Sequence, residues 1–126
     1  MKLPDALLGE HAVLYELFDH LRQAAAGGDA GDIRRAVMAL EALLVSHARV
    51  EEDLLFPGLE PHLGPLGPLA VMRLELRGIE DLLAAAKKEN DLTALKATVA
   101  GLLDLAHGHF QKEEMALFPM ARRFLD

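Results

Sequence analysis

Two copies of one eleven-residue pattern, sixty-two residues apart, constrain this chain more than any other feature. Residues 47–57 read HARVEEDLLFP and residues 109–119 read HFQKEEMALFP, so both follow H-x3-E-E-x3-F-P. Successive residues of an α-helix turn by roughly 100°, which leaves positions i and i+4 about 40° apart on one face. His47 with Glu51, and His109 with Glu113, therefore each project an imidazole and a carboxylate together. Upstream, Leu40, Leu43 and Leu44, and likewise Leu102, Leu103 and Ala106, set the two histidines on or near the stripe that should face a core. Polar groups on such a face need partners. Nitrogen and oxygen donors gathered between helices suit iron, manganese or zinc, and bundle cores build dinuclear sites from comparable ligands. One H-x3-E alone reads as a solvated i,i+4 pair; the second matching copy moves the reading to metal. Each copy ends in Phe-Pro, where proline disfavours helical geometry at the preceding residue, so a kink or a stop is expected there.

Composition narrows the class. The chain has no cysteine, which removes disulfides, thiolate sites and iron–sulfur clusters and leaves nitrogen and oxygen donors for any metal. Leu and Ala dominate, with one Tyr and no Trp, and this favours an all-α fold on propensity. A length of 126 residues fits a single domain. No apolar run is long enough to span a membrane, and the opening MKLPDALLGEH has too short an apolar run for a secretory signal, so the expected location is cytoplasmic. A formal net charge of −7 argues against nucleic acid, which is bound by neutralising phosphate.

Along the chain, four helices are expected at about residues 4–26, 30–56, 68–89 and 91–124. Pro4 and Asp5 suit the first turn of the first helix. Its apolar row of Leu7, Leu8, Leu14, Leu17 or Phe18, and Leu21 carries His11 inward. His20 falls on the opposite side, His107 points away from His109, and His62 reads as an exposed loop residue. Asp29 or Asp32 should cap the second helix, and Asn90-Asp91 the fourth. The segment PGLEPHLGPLGP, with four prolines and three glycines, reads as an irregular crossover between two halves.

These residues resemble the hemerythrin-like, or HHE cation-binding, family, whose motif is a histidine in a first helix followed by two H-x3-E helices. The resemblance covers nearly the whole chain and rests on His47, Glu51, Glu52 and Leu55-Phe56-Pro57, on His109, Glu113, Glu114 and Leu117-Phe118-Pro119, and on the opening Leu-Leu-Gly-Glu-His at 7–11. It implies an up-down-up-down four-helix bundle of two pseudo-repeated helix pairs. It also implies a non-haem di-iron centre in which His11 is the first-helix ligand and Glu51 and Glu113 are bridging carboxylates.

The third helix departs from the family. Aligning the halves sets Glu10-His11-x-x-Leu14 against Glu75-Leu76-x-x-Ile79, so a leucine stands where the family places an imidazole, and this helix has no histidine. Glu80, one turn along the same face, is the candidate replacement; as the bland alternative, Glu75 and Glu80 are both surface charges. The candidate metal ligands are thus His11, His47, Glu51, His109, Glu113 and Glu80. Glu52 and Glu114 are expected to serve solvent or an outer-shell hydrogen bond. Tyr15, the only phenol, is either a proton donor near His11 or a tyrosine with its hydroxyl paired.

The resemblance implies a protein that binds or senses dioxygen, nitric oxide or peroxide, with iron as the metal and manganese or zinc as alternatives. A degenerate bundle acting as an interaction module, or an iron storage or sensing protein, are the competing expectations. Whether it is an enzyme is left open, and a monomer or homodimer is expected.

Overall fold

The structure, a computed structural model, describes residues 2–125. Among these residues there are four helical rods and no strand. Helix α1 (Leu3–Gly27) forms the first rod. The second combines α2 (Ala30–Val50), a wide π turn (Glu51–Leu55) and α3 (Phe56–Leu63). Helix α4 (Pro68–Lys88) is the third, and α5 (Leu92–Lys112), a second π turn (Glu113–Leu117) and α6 (Phe118–Phe124) make the fourth. This is the all-α four-helix bundle expected from the sequence.

Each rod buries one stripe. On α1 it is Leu7, His11, Leu14, Phe18 and Leu21, spaced alternately by four and three residues. On α4 it is Leu69, Met72, Leu76, Ile79 and Leu83. Burying a side chain of this size stabilises by roughly 1.5–3 kcal/mol, so the stripes fix which face turns inward. Helix α1 packs on α2 and α4 on α5, and the two pairs meet through α2 with α4 and α1 with α5. His11, His47, Glu51, His109 and Glu113 lie on these stripes and are the polar residues buried with the core.

Caps set the starts of α2 and α5. Asp29 accepts from the backbone N–H of Asp32 while Asp32 accepts from that of Asp29, a reciprocal capping box. Asp91 accepts from the N–H of Ala94.

Two expectations are corrected at the first Phe-Pro step, the end of the second helix at 56 and the irregular segment after it. The chain neither stops nor turns irregular there: Phe56 keeps helical angles, and α3 carries the chain from Phe56 to Leu63, through Pro57 and Pro61. The widened turn explains this. Phe56 N–H bonds the carbonyl of Glu51, and Phe118 N–H that of Glu113, five residues back instead of four. A proline lacks the N–H of the ordinary ladder and its ring crowds the carbonyl four residues back; inserting one residue just before it shifts the register so that both problems ease. Only residues 64–67 connect α3 to α4, between Gly64 and Gly67, whose φ values of 79° and 71° lie where other residues are strained.

Candidate metal centre

Both π turns begin at a carboxylate of the repeat, Glu51 in one and Glu113 in the other. With His47 and His109 in the last turn of α2 and α5, each rod delivers its pair at the level where the other rod's pair arrives. Helix α1 adds His11, whose ring stacks on Phe110 at 3.8 Å between centroids and 4° between planes. Phe110 is itself buried, so the stack fixes the plane of the imidazole.

Each histidine is held from outside by a carboxylate. His11 Nδ1 lies 2.7 Å from Glu114 Oε2, His47 Nδ1 2.8 Å from Glu10 Oε1, and His109 Nδ1 3.0 Å from Glu75 Oε1. An ionised carboxylate only accepts, so the proton is assigned to Nδ1 in all three rings, and each Nε2 presents a lone pair inward. There the lone pairs meet acceptors. His11 Nε2 is 3.2 Å from His47 Nε2 and 3.1 Å from Glu113 Oε1. His47 Nε2 is 3.0 Å from Glu51 Oε2, and His109 Nε2 is 3.3 Å from Glu51 Oε1 and 3.4 Å from Glu113 Oε2. Glu51 thus reaches from His47 to His109, and Glu113 from His11 to His109.

A knot of acceptors without donors is unfavourable when buried. Glu51 Oε2 and Glu113 Oε2 are buried with no hydrogen-bond partner. As protein alone, the groups settle this by exchanging protons. Burial pushes His11 down to about 4 despite the hydrogen bond to Glu114. Burial also pushes Glu113 well up, reinforced by Glu51. Burial favours the neutral form of His109, but Glu113 and Glu51 outweigh it and raise it to about 10. For Glu51 burial is again opposed, and the neighbouring Glu113, His109 and His47 hold it below the usual carboxylate range. A cation at the centre of the lone pairs would relieve the same conflict without trapped protons. The donors fit one: His11, His47, Glu51 and Glu113 each offer an atom, and the four atoms lie within 4.8 Å of one another. A model of the hemerythrin HHE cation binding domain matches residues 3–121. The chain belongs to that family. No curated protein and no solved structure matches the chain.

Against this hemerythrin-type pattern, the structure gathers five of the six candidate ligands and leaves one apart. Glu80 is exposed, beside Glu52, Arg73 and Arg77 in a surface recess, so its proposed place in the cluster is corrected. The buried stripe of α4 runs through Leu76 and Ile79, and Glu80 sits on its flank, turned to solvent. Leu76 is buried where the family's imidazole is expected. The opposite correction applies to Glu75. Expected as a surface charge, it has a side chain only 13 % exposed and bonds both His109 and Lys112. Glu10 likewise takes a role that the local pattern does not assign, bonding His47 from α1. Its signal lies in the repeat itself, since Glu10 and Glu75 hold matching places and each reaches the histidine of the following rod. Glu114 makes the outer-shell bond expected for it and also accepts from Tyr15 Oη at 2.6 Å. That settles Tyr15 as a paired hydroxyl, its phenol pushed up by burial and by Glu114. His20 and His62 are exposed, while His107 is half-buried with its ring 5.6 Å from that of Tyr15.

Proposed function

We propose that this chain is a non-haem iron protein whose dinuclear centre binds or senses an uncharged or weakly acidic small oxidant: dioxygen, nitric oxide or peroxide. The observation that carries the proposal is the convergence of three imidazole lone pairs and two carboxylates, each imidazole fixed from behind by a further carboxylate. His11, His47, Glu51 and Glu113 would hold one ion, and His109 with the far oxygens of the same carboxylates would hold the second. Five carboxylates against the single ammonium of Lys112 leave a charge that two divalent cations would balance.

When bound, iron at such a site supplies reversible electron transfer and an attachment point for the small ligand. The chain supplies the surroundings. Leu76 keeps an apolar wall against the half with fewer donors and withholds a sixth protein ligand there. Phe110 and Phe118 lie against His11 and exclude water from that side. Glu114 receives the Tyr15 hydroxyl and the His11 N–H on one oxygen, and so holds the imidazole's orientation. Manganese or zinc would fit the same nitrogen and oxygen donors.

Elemental analysis of aerobically purified protein, with its visible spectrum before and after reduction, tests the reading. About two irons per chain with visible charge-transfer absorption is expected. Absence of iron after anaerobic reconstitution with ferrous salt would overturn it. A second reading, one cation only, is favoured by the tight four-donor group that omits His109; it predicts a single equivalent bound and a His109→Ala variant that still loads fully.

A further inference from the structure

Of the side chains that give up a single electron readily, the thiol, the indole and the phenol, this chain has one example: no Cys, no Trp and one Tyr. That phenol, Tyr15, stands on α1 one turn beyond His11. Its hydroxyl donates to Glu114 Oε2 at 2.6 Å, and the same oxygen lies 2.7 Å from His11 Nδ1. Two hydrogen bonds therefore join the phenol to a candidate ligand. The aligned place on α4 is Glu80, so the other half has no such donor.

The rings are neighbours as well. Tyr15 meets His11 edge-on at 6.2 Å between centroids and Phe110 at 5.7 Å, and Phe110 stacks on His11. The phenol itself is half-buried. An oxidised phenol that keeps its proton is a strong acid, and a positive charge held on a half-buried ring is unfavourable. Electron loss from Tyr15 is eased where a base takes the proton in the same step, and a carboxylate at hydrogen-bond distance is placed to do so. A carboxylate oxygen has two lone pairs. On Glu114 Oε2 one receives the phenol proton while the other goes on accepting from His11.

We propose that Tyr15 donates an electron when peroxide is reduced at the centre, with Glu114 as the acceptor of its proton. Reducing hydrogen peroxide to two waters breaks the O–O bond and takes two electrons and two protons. One electron comes from a ferrous ion, which becomes ferric. The other comes from Tyr15, whose O–H bond breaks: the electron goes to the peroxide, the proton goes to Glu114 Oε2, and a neutral phenoxyl radical remains. Two protons from solvent complete the waters. The second oxidising equivalent is thereby kept off His11 and Phe110 and held on the one side chain suited to it. The proposal rests on the functional reading above and adds, for peroxide, the source of the second electron.

Electron paramagnetic resonance of rapidly frozen samples reads the radical, and growth on ring-deuterated tyrosine, which narrows the signal, assigns it. In the full chain freed of metal, a photogenerated ruthenium(III) tris(bipyridine) oxidant is expected to produce that signal. The oxidation should slow in deuterated water, because the proton moves with the electron. It should slow several-fold in Glu114→Gln, whose amide does not take the proton. Equal rates in the two waters, or in Glu114→Gln and the native chain, overturn the proposal; the solvent comparison needs no variant and so stands whether or not Glu114→Gln folds. In ferrous-loaded protein, one equivalent of hydrogen peroxide should give the same signal, and Tyr15→Phe should lose it. Peroxide consumed by iron-loaded native protein without a tyrosyl signal also overturns the proposal. Native protein that holds no iron overturns the reading of the centre instead, and the two failures are read from separate measurements.

Discussion

In the half of the bundle built on α1, His11 faces the cluster, Glu114 bonds its outer nitrogen, and Tyr15 bonds Glu114. At the matching places of the half built on α4 stand Leu76, Glu52 and Glu80. The inner repeat is shared: His47 and His109, Glu51 and Glu113, and the outer partners Glu10 and Glu75 occur in both halves. With leucine opposite His11, the carboxylate opposite Glu114 has no ring to hold. Glu52, with no histidine to hold, opens to the surface beside Glu80, Arg73 and Arg77. Burial and the nearby Glu80 raise its carboxyl above the usual range, as expected where acidic groups crowd without an imidazole between them. One apolar side chain, Leu76, therefore bears on two layers of the site.

The largest effect should come from removing what the halves share. Glu113 reaches both His11 and His109, so Glu113→Ala is expected to abolish binding at both positions, bringing iron content close to that of the buffer. The metal-dependent rise in Tm should vanish with it. Calorimetry with and without metal measures this. A variant that still gained stability from iron would show that Glu113 is not common to the two positions.

Restoring symmetry is the next test. Leu76→His places an imidazole where Glu52 is free to accept from it, as Glu114 does from His11. The second equivalent of metal should bind at least about tenfold more tightly, judged against a chelator, since outer carboxylates alone alter affinity by about 10–100-fold. Adding Glu52→Ala to Leu76→His should remove most of the gain. If it removes none, Glu52 does not hold the new ring. Glu75→Gln in the native background should weaken binding by a similar factor but at the His109 position only, leaving the first equivalent unchanged in titration.

How much of this was legible in the sequence follows from how far each feature depends on a neighbour. The positions of His11, His47, Glu51, His109 and Glu113 are matters of helical period, and each is buried as the spacing requires. Asp29 and Asp91 likewise cap locally. Glu10 and Glu75 lie at the edges of their stripes, and what an edge residue meets is set by the rotation of the next helix, which no local pattern fixes. Glu80 failed for the same reason in reverse: a few tens of degrees separated a ligand from a surface charge. The irregular segment expected from Pro57 onward is instead helical to Leu63, because the π turn that admits Pro57 is a shift in hydrogen-bond register and leaves no mark in composition.

Tyr15 sharpens the comparison further, because its counterpart Glu80 gives the other half no hydroxyl. Tyr15→Phe deletes the bond to Glu114 and should cost about 0.5–1.5 kcal/mol of stability, without changing how much metal binds. A drop in metal content would mean that Glu114 depends on the phenol to hold His11.

The smallest contrast lies at the caps, far from the site. Helix α2 begins with a reciprocal pair, Asp29 and Asp32, whereas α5 begins with the single bond from Ala94 to Asp91. Either Asp29→Ala or Asp91→Ala should cost about 1 kcal/mol, with Asp29→Ala the larger because it also breaks the box. The pH dependence separates them. The Asp32 carboxyl is held below its ordinary 3.8 by the backbone N–H of Asp29 and then by Arg35. A carboxyl depressed on folding stabilises fully above its unfolded value, and the contribution fades as the pH falls through the folded one. Melting curves taken downward from pH 5 should therefore show Asp32→Asn converging on the native protein as acid protonates the carboxyl. Asp91→Ala serves as the reference, with Asp32 and its capping box intact. A constant gap between Asp32→Asn and the native protein across that range would mean that the charge of Asp32, as distinct from its shape, contributes nothing to the start of α2.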